Sequence, residues 1–196
     1  QLRGVLFPLG NYSKEEARAL ARKFALTVAE KKASQEICFL PNDDYRAFLR
    51  GRIKEEIKPG PVVDARGNIV GQHKGIAYYT IGQREGLGIA MGYPVYITGI
   101  DAENNQVFIG SKEEACKREF LIKDLHFSLK PIKKLVAFKV KIRYNHKEES
   151  AMLLASGKKA RIVFKKPQFA ITPGQSAVFY DKNMVLGGAI IDKIIR

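Results

Sequence analysis

Cys38 is the side chain in this sequence whose type and neighbours could support covalent chemistry. It lies in an apolar run between Ile37 and Phe39, and a lone cysteine in such a run is usually a buried structural thiol. Lys31 and Lys32 precede it, and nearby cations lower the pKa of a thiol from about 8.5 and expose a nucleophilic thiolate. The residues alone leave both interpretations open, at a position where two predicted folding units join.

A glycine-rich segment, residues 82–88, is the second motif that could act on a ligand. Its glycines would let the backbone approach a sugar-phosphate, to which Gln83 and Arg84 could donate hydrogen bonds. The Lys-Ser/Thr pair of a Walker loop does not follow this segment, so nucleotide binding of that kind is not indicated. A simple tight turn is the alternative interpretation.

The potential metal ligands are too scattered to predict a metal site. His73, His126 and His146 occur singly along the chain, without the close spacing that a tetrahedral site requires. The second cysteine, Cys116, has no neighbours that support a chemical role. We therefore predict no bound metal.

Positive charge is concentrated in the C-terminal part of the chain. The 196 residues carry a net charge of +14, and residues 117–196 contribute 18 basic and only 6 acidic side chains. No lipidation motif or basic amphipathic helix accompanies this charge, so nucleic acid is favoured over membrane as the partner. The composition is globular, no apolar run could span a bilayer, and two cysteines are too few for a disulfide-rich secreted domain. These features predict a cytoplasmic protein.

Two segments of this basic part alternate in the manner of strands with one buried face. Within residues 135–144 the inward positions are apolar or aromatic: Val136, Phe138, Val140, Ile142 and Tyr144. The outward positions are Lys139, Lys141 and Arg143, and residues 159–165 repeat the pattern with Lys159 and Arg161 outward. Such basic stripes suit RNA phosphates. Tyr144 could stack on a base or close the core.

The elements that would position these residues predict a mainly β protein with some α. The capping box of Ser13 and Glu16 predicts a helix from about residue 14 to about residue 25, after a strand at residues 5–7. We expect residues 1–40 to be the tail of an α/β domain. The sequence lacks an initiator methionine and is expected to be a piece of a longer protein.

Residues 41–114 are predicted to form a small central α+β domain. A helix after Asp44 would bury Tyr45, Phe48 and Leu49, followed by a strand, turn and strand over residues 62–71 and a hairpin over residues 94–109. Residues 75–81 are ambiguous between strand and helix. Residues 115–196 are predicted to form a C-terminal six-stranded antiparallel β-barrel.

Six segments, in this order along the chain, resemble the tRNA-specific 2-thiouridylase family. They are residues 7–10, 28–39, 60–64, 79–88, 142–144 and 172–180. The resemblance covers essentially the whole chain. It implies an N-terminal ATP-pyrophosphatase domain, of which residues 1–40 would be the tail, then a central domain and a tRNA-binding barrel.

The resemblance also implies a reaction and its residues. The family's enzyme uses ATP, with Mg, to adenylate the C2 oxygen of the wobble uridine of tRNA, and a cysteine persulfide then attacks C2 and expels AMP. Cys38 matches the persulfide-bearing cysteine, and Arg143, Tyr144 and Gln175 match positions expected to contact the anticodon arm. A sulfur-relay protein would supply the sulfur, and no membrane or oligomer is required. The phosphate-binding loop and a second catalytic cysteine would precede Gln1, so this chain alone is predicted to be inactive and to bind no ATP.

Two other classes of function stay open at this point. One is a non-catalytic RNA-binding barrel whose cysteine is structural. The other is a barrel that binds a protein partner, as in translation factors. Only the sulfurtransferase interpretation predicts that a donor loads sulfur on Cys38.

Overall fold

A computed structural model describes residues 4–31, 40, 44–53, 56–128, 137–156 and 159–195. The chain divides into two compact units, Gln1–Phe48 and Leu49–Arg196. Cys38 lies outside the described residues. No helix in the described ranges is long and apolar enough to cross a membrane.

The first unit contains the predicted helix, α1, which spans Lys14–Lys23. Its capping box is formed: the Glu16 amide donates to Ser13 Oγ at 3.2 Å, and the Ser13 amide donates to Glu16 Oε2 at 2.7 Å. The helix ends at Lys23 because Ala25 adopts a left-handed φ of 52°, which a continuing helix does not permit. A 3-10 helix, Thr27–Glu30, follows.

The prediction of a strand at residues 5–7 is wrong. These residues form no strand, and the Leu6 and Phe7 side chains are 86% and 71% exposed. A strand needs a hydrogen-bonded neighbour, and the described residues of the first unit offer none. The apolar sequence therefore indicated a strand without the partner that would stabilise it.

The helix α2, Tyr45–Arg52, begins as predicted. Asp44 caps it, because its Oδ1 accepts from the Ala47 amide at 2.9 Å. Phe48 and Leu49 are half-buried, but Tyr45 is exposed, so its predicted burial is wrong. The phenol instead accepts from Arg46 Nε at 3.3 Å.

The second unit begins with a four-stranded sheet, here called the central sheet. Its strands, in chain order, are β1 (Gly60–Val63), β2 (Ile69–His73), β3 (Tyr96–Asp101) and β4 (Gln106–Gly110). Their spatial order is β2-β1-β4-β3, in which β1 and β4 are parallel and the other pairs antiparallel. The predicted strand, turn and strand over residues 62–71 and the predicted hairpin over residues 94–109 are both present as antiparallel pairs, β1 with β2 and β3 with β4. The ambiguous residues 75–81 contain a short 3-10 helix, Ile76–Tyr78.

The remaining six strands close into an antiparallel barrel, as predicted. They are β5 (Cys116–Phe127), β6 (Ala137–Lys141), β7 (Glu149–Ser156), β8 (Lys159–Phe169), β9 (Ser176–Asp181) and β10 (Met184–Ile194). The closed order is β10-β5-β8-β7-β6-β9. Phe120, Phe164 and Phe179 fill the interior and are almost fully buried, so the barrel is packed rather than hollow.

The inward face of β6 ends before Tyr144. Phe138, Val140 and Ile142 are buried as predicted, but Tyr144 is 92% exposed, so its placement on the inward face is wrong. The strand ends at Lys141, and the chain then turns, with the His146 amide donating to Arg143 O at 3.1 Å. The alternation of inward and outward side chains therefore does not continue beyond that turn.

The central sheet and the barrel pack closely within the second unit. Tyr96 of β3 meets Phe169 of β8 edge to face with ring centroids 5.4 Å apart, and Ala170, which follows β8, is part of the core of the central sheet. Gly82 has a φ of +86°, and a Cβ added there would overlap the Ala170 side chain. Glycine is therefore required at this contact both for its backbone conformation and for its size.

We predict that Gly82→Ala destabilises the chain by about 2 kcal/mol or more, because it adds a steric clash to the strain of a left-handed alanine. Gly88→Ala is the matched control, since Gly88 also has a positive φ but faces open space. Urea unfolding followed by circular dichroism measures both. Equal losses in the two variants would contradict the steric argument.

Candidate functional site

An open groove of about 900 Å³ lies along the line where the barrel meets the central sheet. We call it the seam groove. Part of its polar and aromatic lining comes from the end of β6 and the turn after it, from the segment before β9 and from one residue of the loop between β2 and β3: Lys141, Arg143, Tyr144, His146, Gln175 and Thr80. Cations, aromatic rings and an amide are thus gathered on one surface, the combination that binds nucleic acid chains.

Arg143 is held in the groove by three hydrogen bonds. Its Nη2 donates to Ile81 O at 2.9 Å and to Thr172 Oγ1 at 2.7 Å, and its Nε donates to Gln175 Oε1 at 3.1 Å. All three acceptors are uncharged. Burial lowers the pKa of the Arg143 guanidinium from its ordinary value, although a guanidinium stays protonated in proteins. The groove therefore contains a fixed positive charge.

The structure brings together Arg143 and Gln175, two predicted site residues that are 32 positions apart. Gln175 is half-buried, and its backbone joins it to the end of the barrel, because its carbonyl accepts from the Ile191 amide at 2.8 Å. Its side-chain oxygen is occupied by Arg143. The side-chain NH₂ remains as the group that Gln175 could offer to a ligand.

The exposed Tyr144 and the half-buried Lys141 form a pair at the groove. Lys141 Nζ lies 5.5 Å from the centroid of the Tyr144 ring, within the range of a cation–π contact. The ring itself is almost fully solvent-exposed. An exposed aromatic face beside a cation is suited to stacking on a base while the cation meets a phosphate.

Lys139 lies beside the groove in a smaller recess of about 390 Å³ that Lys141, His146, Lys147 and Glu148 also line. Lys139 Nζ is 3.5 Å from Glu148 Oε1. This carboxylate offsets part of the local positive charge. Lys139 is consequently a weaker anion-binding candidate than Lys141, which has no acidic partner among the described residues.

Gln83 and Arg84 lie in the central loop, a name used here for residues 79–88. The Gln83 side chain is engaged within the loop, because its Oε1 accepts from the Thr80 amide at 3.0 Å and its Nε2 donates to Glu85 O at 2.8 Å. Arg84 is exposed. Gln83 thus stabilises the turn, and Arg84 is the loop residue with a side chain open to a ligand.

Cys116 does not have the environment of a nucleophile. Its Sγ donates to Lys112 O at 3.3 Å, and burial, reinforced by Glu113, raises the pKa of the Cys116 thiol. The thiol is therefore protonated near neutral pH. Within the described ranges, no three residues of the His, Cys, Asp or Glu types gather into a metal site.

Sequence reasoning missed His146, which lines the groove, and Thr172, which bonds to Arg143. Thr172 lies at the start of the segment 172–180, and only the fold reveals that its hydroxyl accepts from Arg143. His146 follows Tyr144 by two positions and lines the groove. Burial and then the Arg143 charge lower the pKa of the His146 imidazole from 6.5, so it is neutral near pH 7.

Three family models match the chain in succession. They are the tRNA methyl transferase HUP domain at residues 1–42, the tRNA methyl transferase PRC-barrel domain at residues 46–111 and the Aminomethyltransferase beta-barrel domain at residues 117–191. Together with the fold, these matches define the class: a PRC-barrel domain joined to an aminomethyltransferase-type β-barrel.

Curated relatives then identify the family. The tRNA-specific 2-thiouridylase MnmA 1 of Caldanaerobacter subterraneus subsp. tengcongensis is 49% identical over 100% of this chain and 54% of its own length. The tRNA-specific 2-thiouridylase MnmA of Acetivibrio thermocellus is 50% identical over 97% of this chain and 54% of its own length. The chain belongs to the tRNA-specific 2-thiouridylase family, and it spans about half the length of the curated relatives it matches.

We predict that acid strengthens the charge-dependent binding of nucleic acid in the seam groove through His146. Because the pKa of the His146 imidazole is lowered, it gains its proton only below its ordinary range, so lowering the pH from about 7.5 to about 5 should steepen the slope of log affinity against log salt by at most about 0.9. Binding titrations at several salt concentrations measure the slope. His146→Gln should abolish the steepening, whereas His126→Gln, which removes an exposed histidine on β5, should retain it. The reverse pattern would contradict this role of His146.

Proposed function

We propose that this chain is part of a longer enzyme that transfers sulfur to C2 of the wobble uridine of tRNA. The observation that carries the proposal is the identity of 49–50% that extends along 97–100% of the chain to relatives named tRNA-specific 2-thiouridylases. The chain's own contribution in this proposal is the sulfur-carrying cysteine and a surface for tRNA. The enzyme acts in the cytoplasm.

The proposed enzyme has three domains along this sequence. Residues 1–40 form the tail of the ATP-pyrophosphatase domain, residues 41–114 the central domain and residues 115–196 the tRNA-binding barrel. The consecutive family matches at residues 1–42, 46–111 and 117–191 support this division.

The two described features that could cradle a phosphate, the central loop and the start of α1, do not fit ATP. The Gly82 and Gln83 amides already donate to Ile97 O and Thr80 O, at 2.8 and 3.0 Å, so the central loop has no free amides there to cradle a phosphate. The start of α1 is capped by its own Ser13 and Glu16, whose acidic charge opposes a phosphate. Activation of the uridine by ATP and Mg therefore depends on residues outside the described part of the chain.

Cys38 is proposed to carry the transferred sulfur. A persulfide is a more reactive nucleophile than a thiol, and the two lysines that precede Cys38 favour its anionic form. Its terminal sulfur would attack C2 of the uridine as the activated C2 oxygen leaves with AMP. The second catalytic cysteine that the resemblance implies would then attack the Cys38 sulfur of the adduct, which releases 2-thiouridine and leaves a disulfide between the two cysteines. After a thiol reductant cleaves this disulfide, a sulfur-relay protein reloads Cys38, and the enzyme requires no oligomer for this chemistry.

The seam groove is proposed to hold the anticodon arm. Lys141 and Arg143 attract the phosphate backbone, and Tyr144 offers its exposed ring to an unstacked base. The proposed contact surface also includes Lys139, Gln175, Gln83 and Arg84. The first three of these side chains make the contacts within the chain described above. Phosphate contacts position the RNA, and the base must leave its stack to react.

We predict that Cys38→Ser in the full-length enzyme abolishes thiolation of tRNA but leaves tRNA affinity almost unchanged, since every side chain proposed above to contact tRNA is kept. Mass spectrometry of digested tRNA measures 2-thiouridine, and filter binding measures affinity. Cys116→Ser is the matched control and should retain both properties, because that thiol is protonated and bonded to Lys112.

Thiolation by the Cys38→Ser enzyme would contradict the proposal. Intact tRNA binding together with normal thiolation in that variant would favour the alternative, in which this chain is a non-catalytic RNA-binding β-barrel module and its cysteine is structural.

A further inference from the structure

A single guanidinium joins the barrel to the central loop. Arg143 Nη2 donates both to Ile81 O, in the central loop, and to Thr172 Oγ1, in the segment between β8 and β9. Arg143 Nε donates to Gln175 Oε1 in the same barrel segment. One of these three hydrogen bonds, to Ile81 O, therefore crosses the seam between the two parts of the second unit, and the other two fix the guanidinium to the barrel.

The contacts around Arg143 connect it to the interior on both sides. The Thr172 hydroxyl donates to Ala170 O at 3.0 Å, and Ala170, which is fully buried, is part of the hydrophobic core of the central sheet. On the other side, the Gly82 amide donates to Ile97 O, and the Ile97 amide donates to Gln83 O at 3.0 Å. A displacement of Arg143 would thus disturb the attachment of the central loop to β3.

The geometry of these bonds requires the arginine fork rather than only a positive charge. Arginine offers five N–H donors in a fixed plane, whereas a lysine ammonium is a single compact point of charge. Three of the five donors are used by neutral acceptors, and no carboxylate of the described residues lies in ion-pair contact with Arg143. A residue that served only as a phosphate contact would not need these bonds.

We propose that Arg143 is a positioning residue that fixes the central loop against the seam groove, so that RNA meets both surfaces in one arrangement. This inference rests on the proposed function for the identity of its ligand. A positioning role requires the guanidinium of Arg143 with its hydrogen bonds, whereas a direct phosphate contact requires only a positive charge at this position.

The test is Arg143→Lys in the full-length enzyme. Because the charge is kept, the slope of log tRNA affinity against log salt should equal that of the unsubstituted enzyme. The KM for tRNA should rise about tenfold, the size expected when hydrogen bonds from a charged group are lost, while kcat changes by less than about twofold. Amide hydrogen exchange at Gly82 and Ile97, followed without RNA, should accelerate.

Two further variants make the test selective. Lys141→Gln removes a groove cation that makes no bond to the central loop, so it should reduce the salt slope by about 0.7–0.9 without changing amide exchange. Thr172→Val removes one acceptor of Arg143 and keeps every charge, so it should reproduce the effects of Arg143→Lys. It also preserves the test if Arg143→Lys does not fold, which thermal unfolding reveals.

The inference would be overturned if both Arg143→Lys and Thr172→Val kept the amide exchange rates of the unsubstituted enzyme at Gly82 and Ile97. Faster exchange with an unchanged KM for tRNA would also overturn it. If the unsubstituted enzyme did not bind tRNA, the proposed function would fail. That failure is distinguishable, because the exchange measurement needs no RNA and tests the attachment of the loop by itself.

Discussion

The close contact between the central loop and the barrel segment 170–172 is the constraint on which the second unit depends. Ala170 belongs to the barrel part of the chain but completes the core of the central sheet, and Gly82 leaves the space that Ala170 occupies. Arg143 bridges the two sides, because its Nη2 donates both to Ile81 O in the central loop and to Thr172 Oγ1 in the barrel segment. The groove exists because these two parts are held edge to edge, so the packing that stabilises the unit also shapes its candidate site.

The positive potential of the seam groove depends on where the basic side chains lie more than on the total charge of the chain. Three basic side chains of the barrel are paired with acids on neighbouring strands or turns: Lys123 with Asp192, Lys139 with Glu148 and Arg161 with Glu119. Exposed pairs of this kind contribute little to stability, but they reduce the local positive potential. Within the part of the chain that the structure describes, Lys141 and Arg143 have no such partner, so the seam groove keeps its positive charge.

Local sequence patterns predicted local structure well, and contacts between distant residues escaped them. The capping box at Ser13 and the alternation through Val140 depend on neighbours in sequence, and both features formed as expected. The alternating pattern does not delimit β5. Asp124, within this strand, has a φ of 52°, and this irregular backbone interrupts the alternation of inward and outward side chains. The exposure of Tyr144 depends on a turn that the alternating pattern does not encode.

The candidate site likewise combines residues that the sequence predicts with contacts that only the fold shows. Residue types and a family resemblance predicted Arg143, Tyr144 and Gln175, but no sequence pattern indicates that Arg143 bonds to Gln175 or to the carbonyl of Ile81, which is 62 positions away. The position of Cys38 lies outside the described residues, so its role stays a prediction. The most direct measurement of the account is lysine acetylation of the full-length enzyme with and without tRNA, read by mass spectrometry. The account predicts that tRNA protects Lys141 in the groove but not Lys123 on β5; equal labelling of Lys141 in both conditions would contradict it.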